Sequence, residues 1–412
     1  MTPSDSPFGG LKVIDCASYI AAPVAATLLS DFGADVIKVE PPDGDPHRTL
    51  IDRLGLVDPP GNFVWELASR NKRSLALDLK HPDGRALLHR LVAQADVFVT
   101  NLPLAVRARL GIDAERLRAL NPRLVYASMT AYGETGPEAG KSGFDVTAYW
   151  ARSGLMDLVR NDESVPPAKS VAGMGDHPSA TTLFAGIVMA LYRRQRTGQG
   201  ALVSTSLLAN GLWSNAIQVQ AQLSGARFHP RLGRHQAPNP LSNTYRCRDG
   251  RWLSLVVLNE VRQLPVLLAT LGLAALQNDP RLADGEACRA HAEAVVALFD
   301  EAIAQHDLAT WRQRLDAAGI TFGVVGTLAD VHDDEQMRAG GALVDDADGD
   351  TSRPALRVAN PLQLDGVALR HARPAPALGQ HSLQVLREAG LTDEQIGLLV
   401  TQGVVLSPSD GS

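Results

Sequence analysis

The chain has 412 residues, room for two to three domains at ~150 residues each. Its 39 basic and 45 acidic residues leave a net charge of −6, without the general basic surplus of a nucleic-acid binder. Cys16, Cys247 and Cys288 lie far apart and offer neither a disulfide framework nor a CxxC zinc spacing.

Met1–Gly10 has no basic start followed by an apolar run, so no signal peptide is expected. Leu11–Asp15 then reads as a short buried strand. Pro23–Phe32 reads as an apolar helix with proline in its first turn, stopped by Gly33. Asp35–Glu40 is a second strand, and the βαβ unit that results predicts a parallel sheet. The alternation continues with strands at Arg73–Leu79, Asp96–Thr100, Arg123–Thr130 and Ala201–Ser204. Helices are expected at Asp83–Gln94, Ala114–Leu120, Ser179–Arg194 and Leu207–Gln222, so the fold class is α/β. The longest apolar stretch, Ala180–Leu191, is too short to span a bilayer and reads as a buried helix. A cytoplasmic chain with no membrane or nucleic-acid partner is expected.

Residues 223–250 break the rhythm with Pro230, Pro238 and Pro240. Trp252–Val257 is a strand in a different region, and helices are expected at Ala292–Gln305 and Leu308–Ala318. Ser382–Leu399 holds two helical stretches parted by Gly390, with Thr392 as N-cap of the second.

Glu40 stands where an acidic residue would hold a ribose, but the loop after the first strand, CASYIAA from Cys16, contains no GxGxxG. A GxxxxGK[ST] loop, a GxSxG elbow and an HExxH pair are also missing, so a metal site has no basis in the sequence. The most unusual stretch is GMGDHPS, Gly173–Ser179. Asp176 is there either a helix N-cap or a nucleophilic carboxylate suited to attack on a thioester. Asp145, in SGFD, is a second acidic candidate whose plain role is to cap Val146–Ala151. His177 is a neighbour in sequence that need not face the same way. Arg70, Lys72 and Arg73, like Arg107 and Arg109, are either solvated faces or contacts for phosphates.

Taken together, the segments resemble the family III CoA-transferases, whose relatives include α-methylacyl-CoA racemase. The pieces that carry the resemblance run over nearly the whole chain. They include LKVIDCASYIAAPVAATLLSDFGADVIKVEPPDGD from Leu11, NKRSLALDLKHPDGR from Asn71 and ADVFVTNLPLAVRARLGI from Ala95. GFDVTAYWARSGLM from Gly143, GDHPSATTLFAGIVMALYRRQRTGQG from Gly175 and PALGQHSLQVLREAGL from Pro376 continue it.

The resemblance implies an acyl-CoA:carboxylate CoA-transferase, with a CoA thioester as substrate and no tightly bound cofactor. Its partners are an acyl-CoA, such as succinyl-CoA, and a small carboxylic acid. Asp176 falls on the family's catalytic aspartate, as both cap and nucleophile, and Asp145 on a second acidic site residue. Tyr19, Ile20, Leu77, Asn101, Leu102 and Arg109 fall on CoA-contacting positions; Lys72 and Lys141 join them as candidate binding residues. The implied architecture is a large Rossmann-like parallel-sheet domain, 1–222 and 330–412, and a smaller α+β domain, 223–329, in an interlocked, ring-like homodimer. Racemising relatives carry a histidine where Phe144 stands, so one base is missing and racemisation is disfavoured; a racemase or isomerase on the same scaffold is the alternative reading. A non-catalytic CoA-binding protein is a third. Arg227, Arg231, Arg234 and His235 are candidates for reading a second carboxylate on a diacid.

Overall fold

The computed structural model describes residues 6–55, 61–228, 230–345, 356–367 and 373–407. They divide into two compact units, one of residues 1–157, 169–224 and 336–412 and the other of residues 158–168 and 225–335. Residues 158–168 thus go with the second unit, although the sequence reading assigned them to the first.

The first unit runs β1 (Lys12–Asp15), α1 (Ala21–Asp31), β2 (Asp35–Glu40), α2 (Phe63–Ser69), β3 (Arg73–Leu77), α3 (Pro82–Val92) and β4 (Val97–Thr100). It continues through α4 (Leu104–Leu110), α5 (Ala114–Leu120), β5 (Val125–Thr130), α6 (Leu155–Leu158), α7 (Asp176–Thr197) and β6 (Ala201–Ser206) to α8 (Leu207–Ser214) and α9 (Ala216–Leu223). A 3₁₀ turn, Pro46–Arg53, and a π-helix, Asp145–Ala151, interrupt this series. The helix expected over Leu207–Gln222 is broken at Asn215, whose amide donates to Ser153 O at 3.1 Å. α2, α4 and the 3₁₀ turn were not foreseen, because seven or eight residues hold barely two turns of periodicity.

The second unit holds β7 (Thr244–Arg246), β8 (Trp252–Leu255), α10 (Glu260–Thr270), α11 (Gly285–Ala290), α12 (Ala292–Ile303), α13 (Leu308–Ala317) and β9 (Phe322–Val324). Its antiparallel sheet β7-β8-β9 and its helices enclose a core with Leu267, Phe299 and Trp311. The chain then runs through α14 (Glu335–Ala339) into the first unit, as β10 (Leu343–Asp345), β11 (Leu356–Val358), α15 (Ser382–Glu388), α16 (Asp393–Thr401) and β12 (Val405–Leu406).

The main sheet has the order β12-β3-β2-β1-β4-β5-β6, parallel throughout except for β12, which pairs antiparallel with β3. Its central strands β4 and β5 are almost wholly buried on both faces because helices cover both sides, whereas the edge strand β6 alternates with exposed residues. The winding reverses between β1 and β4, and in such sheets the crevice beyond the carboxyl ends of those two strands is where ligands bind.

A buried ion cluster lies at that end of the sheet. Lys38 on β2 is fully buried, with its ammonium 2.7 Å from Asp45 and 3.9 Å from Asp15, and it also donates to the carbonyl of Ala17. Lys72 lies 2.8 Å from the other oxygen of Asp15 and 2.7 Å from Pro23 O. Burial alone would discharge Lys38, but Asp15, Asp45 and Glu40 outweigh it and hold its pKa above the usual lysine range. Lys72 shares only Asp15, and burial brings it down to about 8. Glu40 is consumed as well, by Arg48 at 2.8 Å and Ser74 at 2.8 Å, so it is not placed to hold a ribose.

Among the described residues no helix is long and apolar enough to cross a membrane. Removing Lys38 strands the buried carboxylate of Asp45 and leaves Asp15 to Lys72 alone, which costs about 3–5 kcal/mol. Lys38→Met is therefore expected to lower the urea midpoint sharply; a midpoint equal to wild type would contradict this account of the cluster.

Candidate active site

The crevice at the switch point is a cavity of about 520 Å³ whose walls come from the carboxyl ends of successive strands. The loop after β1 supplies Ser18, Tyr19 and Ile20, and the loop after β4 supplies Asn101 and Leu102. Met129 and Thr130 come from the end of β5. The segment Ala139–Asp145 and the head of α7, with Gly173 and Asp176, complete the wall.

Asp176 is the first residue of α7, and Gly175 is the N-cap; its carboxylate makes no capping bond. The cap role expected from sequence is therefore not observed. The leading amides are taken by other groups: His177 N–H donates to Gly173 O at 3.2 Å and Ser179 N–H to Gly175 O at 3.3 Å. The Asp176 carboxylate thus has no hydrogen bond or ion pair among the described residues and is free to face the cavity. Burial, and then the like charge of Asp145, push its pKa up to about 7. The positive end of a 22-residue helix favours the ionised form and offsets part of that penalty.

Two glycines make this placement feasible. Gly173 has φ +77°, which a side chain disfavours. A Cβ on Gly175 would fall 2.5 Å from the Tyr149 ring, so only glycine lets the head of α7 sit against the π-helix. Asp145 opens that π-helix and joins the two segments: Oδ1 accepts from Val146 N–H at 2.6 Å and Oδ2 from Gly175 N–H at 3.4 Å. Phe144 is the cap position, not Asp145.

Seven sequence candidates line the one cavity: Tyr19, Ile20, Asn101, Leu102, Lys141, Asp145 and Asp176. Tyr19 adopts φ +62° and packs edge-on against Phe144 at 5.8 Å. Asn101 turns its amide inward, accepting from Ser18 N–H at 2.8 Å and donating to Ser18 O at 2.7 Å, and so ties the two switch-point loops together. Lys141 lies 2.9 Å from Glu138.

Three other candidates lie away from the cavity. The Lys72 ammonium is buried against Asp15. Leu77 is fully buried in the sheet core, where it touches apolar neighbours. Arg109 is exposed on α4, outside the cavity wall. Its neighbour Arg107 is buried and braces β5, 2.6 Å from Ser128 and 3.1 Å from Glu134. The basic cluster before β3 is neither a solvated face nor a phosphate site: Arg70 pairs with Asp31 at 2.7 Å and Arg73 with Asp35 at 2.6 Å. His177 holds Gly173 O at 2.9 Å and is not in the wall. In the other unit Arg234 is held by Asp300 at 2.7 Å.

Sequence reading missed Leu50 and Arg53, which also line the cavity. The available signal was Asp45-Pro46, an N-cap followed by proline, which starts the 3₁₀ turn that carries them.

Comparison with known proteins shows the family. Residues 8–382 match the model of CoA-transferase family III. The chain is 32% identical over 391 residues to the (R)-2-hydroxy-4-methylpentanoate CoA-transferase of Clostridioides difficile, covering 94% of this chain and 96% of that one. It is 32% identical over 387 residues to the succinate–glutarate CoA-transferase of Agrobacterium fabrum, covering 93% and 95%. Among solved structures it resembles a CAIB/BAIF family protein from Brucella suis, with a TM-score of 0.80, 30% identity and coverage of 93% and 99%. A mostly parallel sheet with a carboxylate-lined crevice at its switch point, and a family match across nearly the whole chain, lead to one conclusion: the chain belongs to CoA-transferase family III and is an enzyme that transfers coenzyme A.

Proposed function

We propose that the enzyme moves CoA from a donor acyl-CoA to a small carboxylic acid through covalent intermediates on Asp176. The observation that carries this is the Asp176 carboxylate itself, unpartnered, with a raised pKa and facing the cavity from the head of α7. In the first step a carboxylate oxygen attacks the thioester carbonyl. The C–S bond breaks, leaving an acyl-aspartyl anhydride and CoA thiolate. The thiolate attacks the aspartyl carbonyl, releasing the donor acid and forming an aspartyl-CoA thioester. The acceptor carboxylate attacks that thioester and breaks its C–S bond, giving an acceptor–aspartyl anhydride and CoA thiolate; the thiolate then attacks the acceptor carbonyl of the anhydride, forming the acceptor acyl-CoA and releasing the Asp176 carboxylate. A thioester is exchanged for a thioester, so no external energy source is required.

Relatives named for succinyl-CoA, succinate and glutarate support a donor such as succinyl-CoA and a dicarboxylate acceptor. The cavity offers two carboxylates and, among its described lining residues, no histidine, which favours carboxylate transfer over racemisation. The three buried thiols suit a reducing cytoplasm. Trp213, Ile217 and Leu223 are 80%, 82% and 76% exposed on α8 and α9, and this uncovered apolar surface supports a homodimer in which a second copy covers it. Sedimentation at micromolar concentration is expected to give the dimer mass; a monomer would contradict it.

Asp176→Asn is expected to lower transfer by at least about a thousandfold. It should also abolish the CoA adduct that mass spectrometry is expected to find on the Asp176 peptide of the wild type. The same variant should be more stable. A native pKa near 7, against about 3.9 unfolded, means that the native state binds the proton more tightly, so wild-type stability declines as pH rises between those values. The gain from Asn should grow from nearly nothing at pH 4 to about 1 kcal/mol or more at pH 8. A variant that retained transfer and adduct would refute the nucleophile.

The nucleophile must be ionised. The kcat/KM of the wild type should therefore rise about tenfold per pH unit below pH 7 and level off above it. Asp145→Asn removes the like charge and should move that rise to lower pH. A shift to higher pH would contradict the assignment.

A further inference from the structure

Among the described residues that line the cavity, two are cationic, Arg53 and Lys141. Lys141 is engaged, with its ammonium 2.9 Å from Glu138 and 5.1 Å from the centre of the Tyr132 ring. The side chain of Arg53, an exposed residue, has no ion pair and no hydrogen bond within the described residues. It stands at the end of a 3₁₀ turn that is otherwise firmly fixed. Asp45 caps the turn through His47 N–H at 2.9 Å, and Arg48 grips Glu40 with two bonds of 2.8 Å. Arg48 O accepts from the Asn62 amide at 2.7 Å, and Ile51 is buried beneath. These bonds hold the frame, one arginine is spent on it, and the other is left over at the cavity wall.

We propose that Arg53 is a specificity residue that receives the second carboxylate of a diacid while the first reacts at Asp176. This rests on the transfer reading above and names the group that would select the acid. Two features carry it. Residues three apart on a 3₁₀ turn eclipse one another, so Leu50 and Arg53 share one face, and both line the cavity. Together they offer an apolar surface for methylenes followed by a planar fork that matches a carboxylate bidentately. The second feature is charge balance. Asp145 already places a carboxylate in the cavity, and a diacid brings a further negative charge that needs an opposite one. Of the residues read from sequence for this role, Arg234 is held by Asp300.

The phosphates of CoA are also anions, and the test separates them from the carboxylate. Wild type, Arg53→Met and Arg53→Lys are assayed with a panel of monocarboxylic acyl-CoA donors, acetyl-CoA among them. Acceptors are paired by length, glutarate with pentanoate and succinate with butyrate. The ratio of kcat/KM for diacid over matched monoacid should fall at least tenfold in Arg53→Met and recover in part in Arg53→Lys. An unchanged ratio, with or without a higher KM for the acyl-CoA, overturns the inference; the higher KM would assign the guanidinium to a phosphate. Transfer to no acid, with no adduct on Asp176, overturns the transfer reading and this inference with it.

Discussion

The ammonium of Lys38 is the constraint on which the cavity depends. It lies fully buried at the end of β2 and gathers Asp15 from β1, Asp45 from the start of the 3₁₀ turn and the carbonyl of Ala17. Asp45, held below its ordinary pKa because Lys38 outweighs its burial, accepts from Tyr19 N–H at 3.2 Å and His47 N–H at 2.9 Å. Tyr19 is thereby kept at φ +62°, a conformation that costs a non-glycine residue roughly 1–3 kcal/mol. One buried charge thus sets two walls of the cavity, the loop after β1 and the turn that carries Leu50 and Arg53. Such a cluster is poor value as stabilisation, because desolvation consumes much of its attraction. Its worth lies in fixing two loops that have no regular structure of their own.

The head of α7 solves a second electrostatic problem. A nucleophilic carboxylate has to be desolvated enough to react and ionised enough to attack. Burial and Asp145 push Asp176 toward the neutral form, and the helix dipole works against them. A value near 7 keeps a large ionised fraction at neutral pH and leaves the oxygen more basic than an exposed aspartate. Asp145 is well placed to hold this balance, since it also accepts from Gly175 N–H and so moves with the helix it influences.

Much of the sheet was legible because strands buried on both faces read as near-continuous apolar runs, as in Val97–Thr100 and Val125–Met129. The switch point followed from strand order, which only the structure supplies. Asp176 was legible through its glycines, although its capping role was misread by one residue: the helix starts at the aspartate, not after it. Lys72, Arg70 and Arg73 were not legible. A charged run before a strand looks the same whether its partners are solvent, phosphate or carboxylates 38 to 57 positions away in the chain, and these three have carboxylates. Leu77 and Arg109 were placed by resemblance alone, and burial or outward orientation removes both from the cavity wall. Arg53 escaped notice because the turn beneath it is held by long-range contacts rather than by periodicity.

The account turns on whether oxygen passes through Asp176. With the acceptor acid labelled by ¹⁸O in its carboxylate, each relay cycle leaves one labelled oxygen on the aspartate, and later turnovers carry it into the released donor acid whenever that oxygen forms the anhydride bridge. Mass spectrometry of both the Asp176 peptide and the donor acid is therefore expected to find the label. Direct attack of the acceptor on the donor thioester would leave the peptide unlabelled, and that result would contradict the central claim.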